Sequence, residues 1–204
     1  MSDRSLVVAS PAGATSLVLM FHGVGSSPAD LVPLARSVAA HRPQAMVVCV
    51  CAPDPSSFGS GWQWFSVAGV TEENRAGRIA QALPAFGAEV ARWQAQAGVG
   101  PAGTTLVGFS QGAIMSLEAT QVTEPAARIV AVAGRFAQPP RRAPQGVVFR
   151  FVHGEADPVI DPRFSLSAVD ALQALGADAS VQVIPGLGHG IDARAARAVL
   201  EAVG

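Results

Sequence analysis

The chain has 204 residues, of which half are hydrophobic and 14% are charged, and its formal net charge is -1. This length allows one domain with a substantial core, and the composition is that of a folded globular protein rather than a disordered one. Because the net charge is close to zero and the arginines are scattered, we expect no nucleic-acid partner and no attraction to an anionic membrane surface.

The sequence carries no sign of export or membrane insertion. The apolar run in its first ten residues, MSDRSLVVAS, is too short for a secretory signal, and no run approaches the ~18 apolar residues of a spanning helix. Cys49 and Cys51 lie two residues apart in a predicted strand, where an extended backbone gives poor disulfide geometry. We therefore expect a cytoplasmic protein without integral membrane association, and two buried, reduced cysteines.

Short apolar segments alternate with longer segments of helical pattern along the chain. The predicted strands are Leu6–Ala9, Leu17–Phe21, Ala45–Cys51, Thr104–Phe109, Ile129–Ala133, Val147–Val152 and Ser180–Ile184. The predicted helices are Ala29–His41, Thr71–Ala97, Gln111–Thr123, Pro162–Leu175 and Ile191–Val203, with Pro84 expected to kink or divide the second. Most later strands are apolar at successive positions, which is typical of strands buried on both faces of a parallel sheet. We predict a single α/β domain over residues 1–204, with a mainly parallel sheet, helices on both faces and no large cap domain.

The segment VGFSQGA, residues 107–113, contains a serine between two glycines at the junction of a predicted strand and a predicted helix. Gly108 and Gly112 suit a sharp, strained turn that leaves no room for side chains. The helix that begins at Gln111 would direct its free N–H groups at an oxyanion beside Ser110. The pattern predicts a nucleophilic serine, and the alternative is a glycine-rich turn with an incidental serine.

A serine nucleophile needs a general base, and His189 is the candidate. It lies in the glycine-rich segment GLGHGI just before the last predicted helix, where a side chain has access to the strand ends. Of the other histidines, His22 and His153 each precede a glycine at a strand end and are interpreted as anchors of tight turns. We interpret His41, at a helix end, as a solvated or capping residue.

The base needs an acidic partner, and the segment HGEADPVID offers three. Asp157 follows a strand and precedes a proline that stiffens the loop, so we choose it as the acid. Asp161 precedes Pro162 at a predicted helix start, where an N-cap role explains it, and it is kept as the second choice. Glu155 is interpreted as a turn residue.

The three candidates occur in the order Ser110, Asp157, His189, which is the chain order of α/β-hydrolases. The segment HGVG after the second predicted strand would supply one oxyanion-hole N–H from Val24, and Gln111 would supply the other. The alternative for HGVG is a plain turn between a strand and a helix. We see no cluster of metal ligands and expect neither a metal ion nor a cofactor.

The segments HGVG, GFSQGAIMSL, HGEADPVI and GLGHGI resemble the phospholipase/carboxylesterase family of α/β-hydrolases, which also contains the acyl-protein thioesterases. The segment QWFSVAGVTEENR is most similar to the small bacterial branch, the YpfH-like esterases. The resemblance covers the chain from about Leu17 onwards. It implies esterase activity without a cofactor or large cap, with Ser110, Asp157 and His189 as the triad and Val24 and Gln111 as oxyanion donors.

The sequence departs from the family pattern at three positions. Ala113 stands where a second glycine often follows the elbow, and Glu155 stands where an aspartate is often found. Ser66 replaces the aspartate that commonly follows the Trp-Phe pair in the thioesterase branch, which weakens that assignment. None of these changes affects the triad.

Three aromatic residues, Trp62, Trp64 and Phe65, lie in a predicted loop together with Phe58. We interpret the three as substrate-binding residues that wall an acyl groove, an interpretation based mainly on the resemblance. The alternative is that they cover the edge of the core.

Together these features predict a serine carboxylesterase that hydrolyses small, short-acyl esters through a covalent acyl-enzyme. The alternatives within enzymes are an acyl-protein thioesterase and a lysophospholipase. The alternative outside enzymes is an inactive hydrolase fold that serves as a binding module. The oligomeric state is left open.

Overall fold

The computed structural model describes residues 4–204, which form one large sheet with helices on both sides. The strands are β1 (Leu6–Ala9), β2 (Ser16–Phe21), β3 (Ala45–Val50), β4 (Asp54–Pro55), β5 (Trp62–Gln63), β6 (Thr104–Phe109), β7 (Arg128–Val132), β8 (Val148–Gly154) and β9 (Asp178–Ile184). The helices are α1 (Pro28–His41), α2 (Glu72–Ala97), α3 (Gln111–Ala119), α4 (Arg163–Ala174) and α5 (Ala193–Val203).

The large sheet has seven strands in the order β1-β3-β2-β6-β7-β8-β9. Strand β1 pairs antiparallel with β3, and all other pairs are parallel. Parallel strands place their carboxyl ends along one edge, so the loops that follow β2, β6, β8 and β9 meet there. These four loops contain the four segments that the sequence singles out.

Successive side chains of each strand point to opposite faces of the sheet, so the core has two layers. In β2, Leu17, Leu19 and Phe21 pack with residues of α2, α3 and α4, whereas Val18 and Met20 pack with residues of α1 and α5. The sheet is therefore covered on both faces, as the apolar strands predict. The predicted α/β architecture is confirmed.

For every predicted strand and helix, the predicted and observed first and last residues agree to within two positions, with one exception. Helix α3 ends at Ala119 rather than Thr123, because the backbone after it closes into turns, and the apolar Val122 that extended the helical pattern is 57% exposed. Pro84 does not divide α2, which is a single helix from Glu72 to Ala97. The short pair β4 and β5 within residues 52–70 was not predicted.

The two cysteines differ in environment. Cys49 is buried in β3, and this burial raises the pKa of its thiol to about 12. Cys51 lies just beyond the end of the strand and is only partly buried, so the prediction that both are buried is wrong for Cys51. No disulfide joins the two.

Trp64 is a core residue and not part of a groove wall. Its side chain is 2% exposed and contacts Phe21 and Phe86 edge-on, with ring centroids 5.7 and 5.1 Å away. Trp62 is partly buried in β5, and the guanidinium of Arg4 lies 4.0 Å from its ring centroid. The sequence does not separate these roles, because a loop aromatic next to the core has the same local pattern as one beside a groove.

Truncation of Trp64 therefore tests its structural role. We expect Trp64→Ala to lower the free energy of unfolding by about 3–5 kcal/mol, the usual cost of removing a buried aromatic side chain. Phe58→Ala is the matched control, since Phe58 is 71% exposed and its loss should change stability by less than about 0.5 kcal/mol. Urea unfolding of both variants measures this, and equal midpoints for Trp64→Ala and wild type would contradict the assignment.

Candidate active site

Ser110 occupies a strained turn between β6 and α3. Its backbone has φ 52° and ψ -112°, a conformation rare for a residue with a side chain, and its N–H donates to the carbonyl oxygen of Val132 at 2.9 Å. A Cβ at Gly108 would overlap the backbone of Ala113, and one at Gly112 would overlap the carbonyl group of Phe21. Both glycines are therefore required by close backbone approach.

Ser110, His189 and Asp157 form a continuous hydrogen-bonded chain at the carboxyl edge of the sheet. The Ser110 hydroxyl lies 2.9 Å from Nε2 of His189, and Nδ1 of His189 lies 2.7 Å from Oδ2 of Asp157. Since an ionised carboxylate only accepts, Nδ1 carries the proton and Nε2 is free to accept from the serine hydroxyl. The ring of Phe109 contacts the imidazole at a centroid distance of 5.1 Å.

The carboxylate of Asp157 is buried and held from both sides. Its Oδ1 accepts from the backbone N–H groups of Val159 and Ile160 at 2.8 and 3.0 Å, while Oδ2 accepts from His189. Burial alone raises the pKa of the Asp157 carboxyl, but the hydrogen bonds from Ile160, His189 and Val159 outweigh it, so the pKa lies below its usual value. The group therefore stays ionised at neutral pH and faces the imidazole as a fixed negative charge.

A second histidine, His153, touches the same carboxylate. Its Nε2 donates to the carbonyl oxygen of Ile160 at 2.8 Å and lies 3.3 Å from Oδ2 of Asp157, while Nδ1 lies 2.7 Å from the Ser165 hydroxyl. Burial lowers the pKa of His153, which keeps the ring neutral. The sequence predicts an anchor for a tight turn, and the ring does fasten the loop after β8; its contact with Asp157 was not predicted.

The other two acidic residues of this segment lie apart from the hydrogen-bonded chain. Asp161 accepts from the backbone N–H of Arg163 at 2.9 Å and pairs with its guanidinium, a helix-start arrangement close to the one predicted. Glu155 accepts from the backbone N–H of Gly186 at 3.0 Å and joins the loops after β8 and β9. Asp157 is thus the carboxylate that meets His189.

Two backbone N–H groups beside Ser110 are available to an external acceptor. Val24 and Gln111 both line the same cavity as Ser110, and within residues 4–204 neither backbone N–H has a hydrogen-bond acceptor. The Gln111 side chain is used differently. Its Oε1 accepts from the N–H of Trp64 and its Nε2 donates to the carbonyl oxygen of Phe65, each at 2.7 Å, so it fixes the aromatic loop to the elbow.

The cavity beside Ser110 has a volume of about 410 Å³, toward the small end of ligand sites. Most of its lining is apolar. Its wall is formed by Val24, Phe58, Phe65, Val67, Val70, Arg75, Ser110, Gln111, Ile114, Arg135, Val159, Ile160 and Phe164. Phe65 is one of its lining residues, and Trp62 is not. Trp64 is buried in the core, which contradicts its predicted place in a groove wall.

Eight lining residues were missed by sequence reasoning, namely Val67, Val70, Arg75, Ile114, Arg135, Val159, Ile160 and Phe164. They come from the loop before α2, from α2 and α3, from the loop after β7 and from the segment that runs from Asp157 into α4, which are far apart in the sequence. Val159 and Ile160 carried a local signal, because they lie within three residues of Asp157.

The described residues contain neither a metal-ligand cluster nor a membrane-spanning helix. No group of three or more His, Cys, Asp or Glu side chains in residues 4–204 is arranged to hold a metal ion. In the same range, no helix combines the length and the apolar character needed to cross a bilayer.

Comparison with known proteins decides the family. The profile of the Phospholipase/Carboxylesterase family matches residues 3–203. The chain belongs to this family. The family resemblance of the sequence motifs is thereby confirmed, as is the expectation that the protein is a hydrolase.

Individual relatives of the chain are consistent with this family assignment. Esterase YpfH of Escherichia coli is 41% identical to the chain over 204 residues, which is 98% of this chain and 88% of that protein. The crystal structure of esterase PE8 matches with a TM-score of 0.87 and 30% identity, covering 99% of this chain and 97% of that one. Acyl-protein thioesterase 2 of Zea mays matches with a TM-score of 0.76, covering 99% and 98%, but at 20% identity it shows the fold alone.

Proposed function

We propose that the protein is a serine carboxylesterase that hydrolyses small carboxylic esters through a covalent acyl-enzyme at Ser110. The single observation that supports this most strongly is the hydrogen-bonded chain of Ser110, His189 and Asp157 at the end of the strained elbow. The esterase relatives at 41% and 30% identity support the same reaction class.

The first half of the reaction forms the acyl-enzyme. Ser110 Oγ attacks the ester carbonyl while His189 Nε2 takes the hydroxyl proton, and Asp157 stabilises the resulting imidazolium. The carbonyl oxygen becomes an oxyanion, which accepts hydrogen bonds from the N–H groups of Val24 and Gln111. When the tetrahedral intermediate collapses, the bond to the alcohol oxygen breaks and His189 donates its proton to the departing alcohol.

The second half releases the acid. A water molecule gives a proton to His189 Nε2 and attacks the acyl carbonyl, and the same two N–H groups hold the oxyanion. Collapse of this intermediate breaks the bond to Ser110 Oγ, which recovers its proton from His189. His189 thus passes the serine proton to the departing alcohol and replaces it with a proton from water, while Asp157 and the two N–H groups balance the charges that form in between.

The alternatives receive less support. A protein thioesterase is consistent with the family and with fold similarity at 20% identity, but Ser66 stands where the resembled thioesterase branch commonly has an aspartate. An inactive binding module would have no use for a strained Ser110 backbone, which costs about 1–3 kcal/mol. Retention of that strain together with an intact base and acid favours an active enzyme.

Substitutions of Asp157 and Asp161 distinguish the proposed acid from the second candidate. We expect Asp157→Asn to lower kcat by about 10⁴-fold, since an amide no longer fixes the His189 tautomer, and Ser110→Ala to lower it by thousands-fold or more. Asp161→Asn is the matched control, because it removes a carboxylate four residues away whose hydrogen bonds within residues 4–204 are all to Arg163. Its activity should stay near wild type. Hydrolysis of p-nitrophenyl acetate measures all three.

A folded Ser110→Ala variant with near-normal turnover would contradict the nucleophile. Loss of activity in Asp161→Asn with retention in Asp157→Asn would contradict the choice of acid.

Substrate size is expected to follow cavity size. Each methylene adds about 0.8 kcal/mol to binding only when it is fully buried. The cavity of about 410 Å³ is bordered by Phe58 and Val159, which are 71% and 66% exposed, so a long acyl chain would extend into water. We expect kcat/KM for p-nitrophenyl esters to rise over the shortest acyl chains and then to level off or fall.

The exposed wall offers a matched pair of variants. Phe58→Ala should reduce the increase of kcat/KM over the short acyl chains. Val122→Ala removes an exposed apolar side chain that does not line the cavity, so this increase should remain as in wild type. A kcat/KM that still climbs through the long-chain esters below their micelle concentration would instead favour a lysophospholipase or a depalmitoylating thioesterase.

A further inference from the structure

We propose that the cavity beside Ser110 selects esters that carry a carboxylate on the part of the substrate that enters it, with Arg75 as the group that binds this carboxylate. The inference rests on the proposed esterase function and names its substrate class. Among the described residues, the cavity wall includes two arginines, Arg75 and Arg135, and no Asp or Glu.

Arg135 is held by several contacts within the protein. Its Nη1 and Nη2 donate to the two carboxylate oxygens of Glu72 at 3.3 and 2.9 Å, and its Nε donates to the carbonyl oxygen of Phe136 at 3.0 Å. Its guanidinium lies 3.7 Å from the ring centroid of Phe164, and its side chain is 10% exposed. These contacts fasten the loop after β7 to the start of α2, so a structural role explains Arg135.

Arg75 is engaged much less. Its Nη2 donates to Glu72 at 3.0 Å, and within residues 4–204 this is the one hydrogen bond of its guanidinium. Its Nε is buried without an acceptor among the described residues. A guanidinium has five N–H donors, and leaving buried donors unpaired is costly. An external acceptor in the cavity, reached by Nη1 or by a small rotation of the side chain, would use this unmet capacity.

The charge balance favours an anionic acceptor over a neutral one. Glu72 is the shared partner of both arginines, so two positive groups face one negative group. The Glu72 carboxylate is 60% exposed, and water screens it more than it screens the partly buried guanidinium groups. The hydrogen bond from Arg135 is the main reason that the pKa of Glu72 is lowered, so the Glu72 carboxylate is ionised. Its one negative charge balances only one of the two guanidinium charges.

The shape of the donor group indicates which anion fits. The edge of a guanidinium presents parallel donors that match the two oxygens of a planar carboxylate. The rest of the wall is apolar, with Val67, Val70 and Ile114 among its residues, and it suits the short methylene spacer of a half-ester. A small ester with an ionised carboxylate at its other end satisfies both parts of the wall.

The test compares esters that differ only in this charge. Monomethyl glutarate and its neutral counterpart, the methyl ester of glutaramic acid, place the group on the acyl side; 3-acetoxypropanoate and 3-acetoxypropanamide place it on the alcohol side. Each is hydrolysed by wild type, Arg75→Met and Arg92→Met, with kcat/KM measured by pH-stat titration at pH 7.5. Arg92 is the matched control, since it also pairs with a glutamate three residues earlier on α2 but does not line the cavity.

In one of the two pairs we expect wild type to prefer the anionic ester by about tenfold or more, which is the usual effect of a hydrogen bond to a charged group. Arg75→Met should reduce that ratio by a similar factor, and Arg92→Met should leave it as in wild type. Equal rates for the anionic and neutral ester in both pairs with wild type would overturn the inference without needing any variant. An unchanged ratio in a folded Arg75→Met would overturn the role of Arg75. Turnover of the neutral esters reports separately on the proposed esterase function, whose failure would remove activity towards all four.

Discussion

The backbone turn at Ser110 is the constraint on which the rest of the site depends. The chain leaves β6 buried between two parallel neighbours and must enter α3 at once, so a residue with a side chain adopts φ 52°. The turn is possible only because Gly108 and Gly112 let backbone segments approach without a Cβ between them. This strain, of about 1–3 kcal/mol, is offset by the packing of the sheet and by the hydrogen bond to Val132.

The surrounding loops are positioned by polar contacts with this turn. The Gln111 side chain ties the loop that contains Trp64 and Phe65 to the first residue of α3, and this brings one wall of the cavity to the serine. On the other side, Asp157 accepts three hydrogen bonds from the loops after β8 and β9, and His153 at the end of β8 lies against the same carboxylate. These contacts set the position of His189. The proposed nucleophile, base and acid are therefore held by rigid neighbours, which is the condition for preorganised catalysis.

The sequence predicts best where a local pattern and a fold rule agree. Ser110, Asp157 and His189 each follow a strand, and the carboxyl ends of parallel strands lie at one edge of the sheet. The proximity of these three residues could therefore be predicted from their positions after the predicted strands. The role of Trp64 could not, because burial of a loop aromatic depends on where α2 lies across the sheet. Arg75 and Arg135 are 60 residues apart and meet only through Glu72, which no local pattern indicates. The contact of His153 with Asp157 was missed for the same reason, since it depends on how the loop folds back.

The most direct test of the central claim is the reactivity of Ser110 towards a fluorophosphonate, which phosphonylates only a serine activated by its neighbours. The folded protein is treated with the reagent, and the adduct is located by peptide mass spectrometry. The mechanism predicts one adduct per chain, on Ser110, formed much more slowly in a His189→Ala variant because the base that takes the hydroxyl proton is gone. A folded protein that forms no adduct, or forms it on another residue, would contradict the assignment of Ser110 as the nucleophile.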